Sequence, residues 1–407
     1  MRMQPLKRFA LIGLALAIIG IVAGAFAPPP VTAIPLWSTE FKLSCVECHA
    51  GFPKLNEFGM AFKQRGYRLV GQKGELLWER PGLPLSGVIL GRYQNRQVDD
   101  PVSRERNKAE SHSRFQLDDV EFFSAGTAAP YFSYLLMVAS DGGEAFTVEQ
   151  GHAQFDDLLP ASRLNLKVGK YWNEFFYLSS PRRLTITRYA APVTLNVQGV
   201  ELNGEWGPWQ YAAGVTNDER ASGTNTSAVN LNTRAQGFYA WSTFLLAEQT
   251  LGFRYINTKA NSDHPSPIID GRTRQQLEAN LNLWLGPVNI TPAVFYQADI
   301  GGVVGQTRRN YLIEATVEAL PEKLFLTGRF ELQDTAFVLN SPNNPRQANG
   351  TLVVGSVSYY LWPNVRVIAE YARTTGEGVG LNIGEDALSR ALNKNIQDIF
   401  LALHFGF

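Results

Sequence analysis

The sequence predicts an all-β chain: an antiparallel transmembrane β-barrel of about sixteen strands behind a short N-terminal α-helical segment. Three observations predict it. From Leu85 onward the chain is a series of segments of alternating polarity, each bounded by turn residues. The connections between segments alternate between short and long. The last segment alternates up to a terminal Phe407.

The alternation is plain in several segments. Leu277, Ala279, Leu281, Leu283 and Leu285 alternate with Gln276, Glu278, Asn280, Asn282 and Trp284. Leu326, Gly328, Phe330 and Leu332 alternate with Thr327, Arg329, Glu331 and Gln333, and Val365, Val367, Ala369 and Tyr371 with Arg366, Ile368 and Glu370. Successive side chains of a strand point to opposite faces, so each such segment has an apolar face and a more polar one.

Short connections occupy 206–209, 285–288, 320–322 and 362–364, while long ones run Asp218–Asn230, Lys259–Gly271, Asp334–Ala348 and Thr375–Asn393. Outer-membrane barrels have short periplasmic turns and longer external loops, and an even strand number puts both barrel ends on the periplasmic side. In the final segment Ile399, Leu401, Leu403, Phe405 and Phe407 alternate with Asp398, Phe400, Ala402, His404 and Gly406. A soluble β-sandwich also alternates, but it needs neither the loop rhythm nor such an ending. Trp and Tyr lie near several segment ends, where an interfacial girdle belongs. Charged residues make up only 18% of the chain, and the net charge is zero, so nothing points to a nucleic-acid partner.

A barrel must leave the cytoplasm, and the start of the chain provides for that. Arg2, Lys7 and Arg8 form a basic region, Phe9 to Ala27 is almost purely apolar, and Val31-Thr32-Ala33 offers small residues at peptidase spacing. Residues 1–33 are therefore expected to be a signal peptide. The competing reading is an uncleaved anchor, for which about 20 apolar residues suffice. The remaining organisation is a head over 34–80 and a barrel over 81–407.

The head carries Cys45-Val46-Glu47-Cys48-His49, the C-x-x-C-H pattern of covalent haem c attachment. Two thiols add across the two haem vinyl groups, and the adjacent histidine serves as axial ligand to the iron. A redox dithiol would need a βαβ context, and half a zinc site would need a second Cys or His pair; neither is visible. These are the only two cysteines of the chain.

Pro53 to Arg65 then reads as a helix ending at Gly66. Leu55, Phe58 and Phe62 form one apolar stripe, for which the porphyrin face is the expected partner. The second axial ligand is open: Met60, His404 and His152 are candidates. Gly169 to Trp172 and Ser179 to Arg183 belong to a basic and aromatic connection, expected as an external loop, with an inward pore constriction as the alternative. The acids Asp99, Asp100, Asp263, Asp270, Glu385 and Asp386 read as ordinary loop acids rather than metal ligands.

Over Ala33 to Tyr67 the chain resembles the fused monohaem cytochrome–porin family of iron-oxidising bacteria. The matching positions are Pro35, Cys45, Cys48, His49, Pro53, Leu55, Gly59, Phe62 and Lys63. Where family members tend to read Thr-Pro after the leucine, this chain has Asn56-Glu57. The barrel's rhythm also resembles phosphate-selective porins.

The resemblance implies one haem c in the outer membrane and electron transfer between extracellular Fe(II), or another donor or acceptor, and a periplasmic cytochrome or other carrier. Any enzymatic description would be an Fe(II):cytochrome c oxidoreductase. To serve external donors, the haem is expected well up the lumen. The alternative is a porin for small or anionic solutes whose plug bears a structural or sensory haem.

Overall fold

A computed structural model describes residues 37, 41–79, 84–100, 105–106, 111–143, 145–174, 177–179, 181–217, 237–259, 273–298, 307–337, 346–376 and 394–406. The expected signal peptide, Phe407, Asp263, Asp270, Glu385, Asp386 and most of the four long connections lie outside the described residues.

The described strands are β1 (Leu85–Asp100), β2 (Glu105–Arg106), β3 (His112–Ala129), β4 (Phe132–Asp141), β5 (Thr147–Leu159), β6 (Leu164–Glu174), β7 (Thr194–Trp206) and β8 (Trp209–Thr216). They continue with β9 (Gly237–Leu246), β10 (Gln249–Lys259), β11 (Thr273–Leu285), β12 (Val288–Ala298), β13 (Thr307–Leu320), β14 (Leu324–Phe337), β15 (Arg346–Trp362), β16 (Val365–Gly376) and β17 (Lys394–Gly406). Every pairing is antiparallel; from β3 to β17 each strand pairs with its chain neighbours, β1 pairs with β3 past the short β2, and β1 closes on β17 from Val88↔Gly406 to Asp99↔Asn395. β2 is a two-residue ribbon, so the wall is a closed barrel of sixteen strands, as expected.

Its polarity is inverted relative to a soluble protein. Leu277 is 58% exposed while Gln276 beside it is 1% exposed; Leu403 is 50% exposed and His404 5%. Asn165, Asn203, Glu278, Asn282, Asn310 and Arg329 are likewise buried inside, whereas Phe115, Phe238, Phe253 and Phe330 face out. An apolar exterior around a polar lumen is the arrangement of a barrel with lipid outside. The protein is therefore an outer-membrane β-barrel.

Two elements fill the lumen. The first is the head, with helices α1 (Cys45–Cys48) and α2 (Glu57–Gln64). The second is the connection between β6 and β7. This segment was expected as an external loop, but it folds inward. Leu178, Leu184, Ile186, Ala191 and Val193 are all buried.

A buried loop must have its backbone groups satisfied, and the charged wall does this. Glu370 accepts from Ile186 N (2.6 Å) and Thr187 N (2.7 Å), and Glu331 accepts from Ala190 N (2.9 Å) and Ala191 N (3.0 Å). Arg329 donates to the carbonyls of Thr187 and Arg188, Arg366 to that of Leu184, and Arg254 to that of Pro192. Ile186 also packs on Leu352, Ile368 and Phe400. Inward-facing Ile368 and Phe400 break the polar lining, and that break was the available sequence signal for an inward loop.

Candidate functional site

α1 is a single turn in which His49 N donates to the Cys45 carbonyl at 3.0 Å. The chain then turns back, with Lys54 N on the Gly51 carbonyl and Asn56 N on the Cys48 carbonyl. Asn56 clamps the two helices together. Its Nδ2 donates to the carbonyls of Val46 (3.1 Å) and Glu47 (3.0 Å), and its Oδ1 accepts from Gly59 N at 2.9 Å, capping α2. The helix therefore starts at Glu57, later than the expected start near Pro53, and ends as expected at Gly66, whose φ is +69°.

Gly59 sits where α2 meets α1. A Cβ there would land against the Cys48 carbonyl oxygen, backbone that is already held by Asn56 N. Gly59→Ala is expected to push the helices apart at a cost of about 1–3 kcal/mol. A thermal midpoint equal to wild type would sink that account. Asn56→Ala removes three side-chain hydrogen bonds, each worth about 1 kcal/mol. It is expected to lower the ratio of covalent haem to protein several-fold, read from absorbance; an undiminished ratio counts against the clamp.

The apolar stripe does not go where the sequence suggested. Phe58 and Phe62 pack with Trp37, Phe41 and Tyr67 onto Phe123, Ala125 and Leu135 of the barrel wall. Trp37 stacks on Tyr67 at 4.8 Å and meets Phe62 edge-on at 6.0 Å. Phe58 and Phe62 do not line the cavity described below.

Charged contacts fix the head to the short-turn end of the barrel. Arg65 makes a two-point pair with Glu205 (2.7 and 3.0 Å). Arg68 reaches Asp157 at 2.9 Å and Asp156 at 3.6 Å. Lys54 Nζ donates to Asn289 Oδ1 (3.1 Å) and Glu314 Oε1 (3.3 Å), and Glu314 Oε2 accepts from Tyr189 of the inward loop at 2.8 Å. Tyr360 donates to the Phe52 carbonyl at 2.6 Å. The head is thus a plug, joined to the inward loop through Glu314.

Between plug and wall lies a cavity of about 440 Å³, within the usual range for ligand pockets. Cys45, His49 and Phe52 line it from the plug; Trp284, Pro287, Phe325, Tyr360, Trp362 and Pro363 line it from the barrel. These barrel residues flank the short turns β11–β12, β13–β14 and β15–β16. The cavity is therefore at the periplasmic rim rather than well up the lumen, contrary to expectation.

The residues here fit a covalent haem. His49 Nδ1 is buried without a hydrogen bond to another group. Burial, with Arg182 second, lowers the His49 pKa to about 4, so the ring is neutral at ordinary pH, the form that ligates metal. Burial pushes the Cys48 thiol up to about 11, with Glu47 adding, and burial also raises Cys45. A redox dithiol needs a depressed cysteine pKa, so the environment opposes that reading.

The candidate second ligands fare differently. Met60 lies on α2 and does not line the cavity. His404 points into the lumen near the rim, as expected, but its Nδ1 accepts from Arg366 Nε at 3.0 Å and its ring lies 5.2 Å from Phe52. Phe52 in turn stands 5.4 Å from His49. His152 packs edge-on to Tyr171 at 6.0 Å, away from the cavity. Among the described residues no acidic, His and Cys cluster could hold a metal ion, so Asp99 joins none.

Comparison with known proteins bears on the barrel. No family model and no curated protein matches the chain. Solved structures do. The outer membrane channel DcaP of Acinetobacter baumannii aligns over 83% of this chain and 100% of its own, with TM-score 0.56 and 13% identity. An anion-selective porin from Comamonas acidovorans aligns over 80% and 99%, with TM-score 0.55 and 8% identity. Salmonella typhi OmpF aligns over 79% and 97%, with TM-score 0.54 and 10% identity. At these identities the likeness is one of fold: this chain has a porin-type barrel.

Proposed function

We propose that the protein holds one haem c at the periplasmic mouth of its barrel and exchanges electrons there with a periplasmic carrier. The observation that carries the reading is the aromatic-walled cavity opening beside Cys45 and His49. Haem c, when bound, supplies a one-electron carrier. The chain's own groups do the rest. Cys45 and Cys48 tether, and neutral His49 is the axial ligand. Trp284, Phe325 and Trp362 exclude water, and Lys54 with Glu314 fixes the plug against the wall. About forty residues of head cannot bury a haem alone, so the barrel is needed as the opposite wall. Extracellular Fe(II) is the donor suggested by the family resemblance.

The rim position favours contact on the periplasmic side. An external donor must then enter the lumen past the inward loop, because an apolar band of about 25 Å separates the rim from the outside. Reduction of the purified protein's haem band by added Fe(II), at acid and neutral pH, tests the donor. A haem that binds but stays oxidised rules out Fe(II) while leaving the cytochrome intact.

A second reading is a solute channel with a haem-bearing plug. The porin-type barrel favours it. Such a channel would suit small or anionic solutes. A wide, steady conductance in planar bilayers would favour this reading over electron transfer.

A further inference from the structure

The cavity contains one strong haem-iron ligand and no evident second. Besides His49, its lining among the described residues holds no histidine and no methionine. Among the described residues, the methionines and histidines elsewhere are engaged or remote. Met137 lies in β4 and its sulfur takes the Gln150 amide at 3.6 Å. His404 is held by Arg366, packs against Phe52 and does not line the cavity. His152 lies beside Tyr171. His112 faces Arg96 across β1 and β3, toward the long-loop end. Met60 lies outside the cavity.

Of the two lysines lining the cavity, Lys54 is held by Asn289 and Glu314. Lys323 lies in the β13–β14 turn, where its backbone N–H bonds the Leu320 carbonyl and its carbonyl accepts from Tyr360. Apart from Cys45, the rest of the lining is aromatic, aliphatic, glycine, proline, carboxylate, amide or the Thr316 hydroxyl. Axial Met or His is what closes the iron of an electron-carrying haem to outside ligands and sets its potential.

We propose that a haem on Cys45, Cys48 and His49 keeps its second axial position free of ligands from the described residues and takes a small exogenous ligand there: a neutral diatomic molecule on Fe(II), or cyanide on Fe(III). This rests on the haem reading above. One iron–ligand bond forms, and no bond from iron to the protein has to break first. The aromatic walls suit an uncharged diatomic, because they offer contact without competing charge. The site would then sense or bind a small molecule as well as carry electrons.

The test uses the full-length, haem-loaded protein, with barrel folding checked by heat-dependent gel mobility. A pyridine haemochrome assay first establishes covalent haem; if none is found, the haem reading fails and this inference falls with it. With haem present, carbon monoxide is added to the reduced protein and cyanide to the oxidised one. The expected result is a high-spin ferric spectrum and stoichiometric carbon monoxide uptake, both unchanged in Met60→Ala and His404→Gln. A low-spin wild type that takes up no carbon monoxide overturns the inference while leaving the cytochrome standing. In that case the variant among Met60→Ala, His404→Gln and Lys323→Ala that turns high-spin identifies the ligand.

Discussion

Cys45→Ser combined with Cys48→Ser is expected to abolish covalent haem while leaving the barrel folded. The two thiols are the only groups that can form thioether bonds, because the chain has no other cysteine. Neither is needed by the wall: β1 pairs with β17 and β3 through backbone hydrogen bonds, and the plug is anchored by Arg65, Arg68 and Lys54. The expected result is a complete loss of haem stain after denaturing electrophoresis, with unchanged heat-dependent mobility. Haem that persists in the double variant would remove the foundation of the functional reading. A variant that loses the barrel as well would show that attachment is coupled to assembly, against the geometry.

Glu314→Ala is expected to produce the largest loss of stability of any single lumen substitution considered. One carboxylate on β13 serves the plug and the inward loop together. It takes Lys54 at 3.3 Å and Tyr189 at 2.8 Å, and Arg329 stands 3.7 Å away. All three charged partners are nearly free of solvent, with side-chain exposures of 4%, 1% and 0% for Lys54, Glu314 and Arg329. Removing one member of a buried ionic group strands the others and costs about 3–5 kcal/mol.

Arg329 keeps Glu331 at 3.0 Å, so the cost should fall mainly on Lys54 and on the Tyr189 hydroxyl. Two measurements check it. The denaturation midpoint should fall, and conductance in planar bilayers should rise as plug and loop loosen. Glu314→Gln keeps an acceptor for Tyr189 but loses the charge for Lys54, and should lie between the two. A Glu314→Ala protein with wild-type midpoint and conductance would show that plug and loop are held elsewhere.

The sequence by itself determined the barrel, and it holds the motif on which the haem proposal rests. Strand alternation is a local property with a period of two, so Leu277 against Gln276, or Leu403 against His404, is readable without any partner. The short turns are readable for the same reason, as is the C-x-x-C-H pattern of Cys45, Cys48 and His49, which is spacing along a few residues. Gly66 as a helix end is equally local.

What the tertiary structure alone decided depends on contacts between distant residues. Lys54 meets Asn289 across 235 positions and Tyr360 meets Phe52 across 308. No local pattern reports such distances. The stripe of Phe58 and Phe62 was correctly seen as apolar, but its partner was a choice between a cofactor and the wall, and only closure of the barrel brings Phe123 and Leu135 to it.

The external loop was favoured over the inward constriction because the segment's basic and aromatic composition suits solvent as well as a charged lumen. The deciding groups, Glu331, Glu370, Arg254 and Arg329, satisfy its backbone from β10, β14 and β16. The placement of Met60 and His404 is of the same kind. Met60 and His404 were chemically suitable in the sequence, and it is packing that leaves both out of the cavity lining, His404 against Arg366 and Phe52.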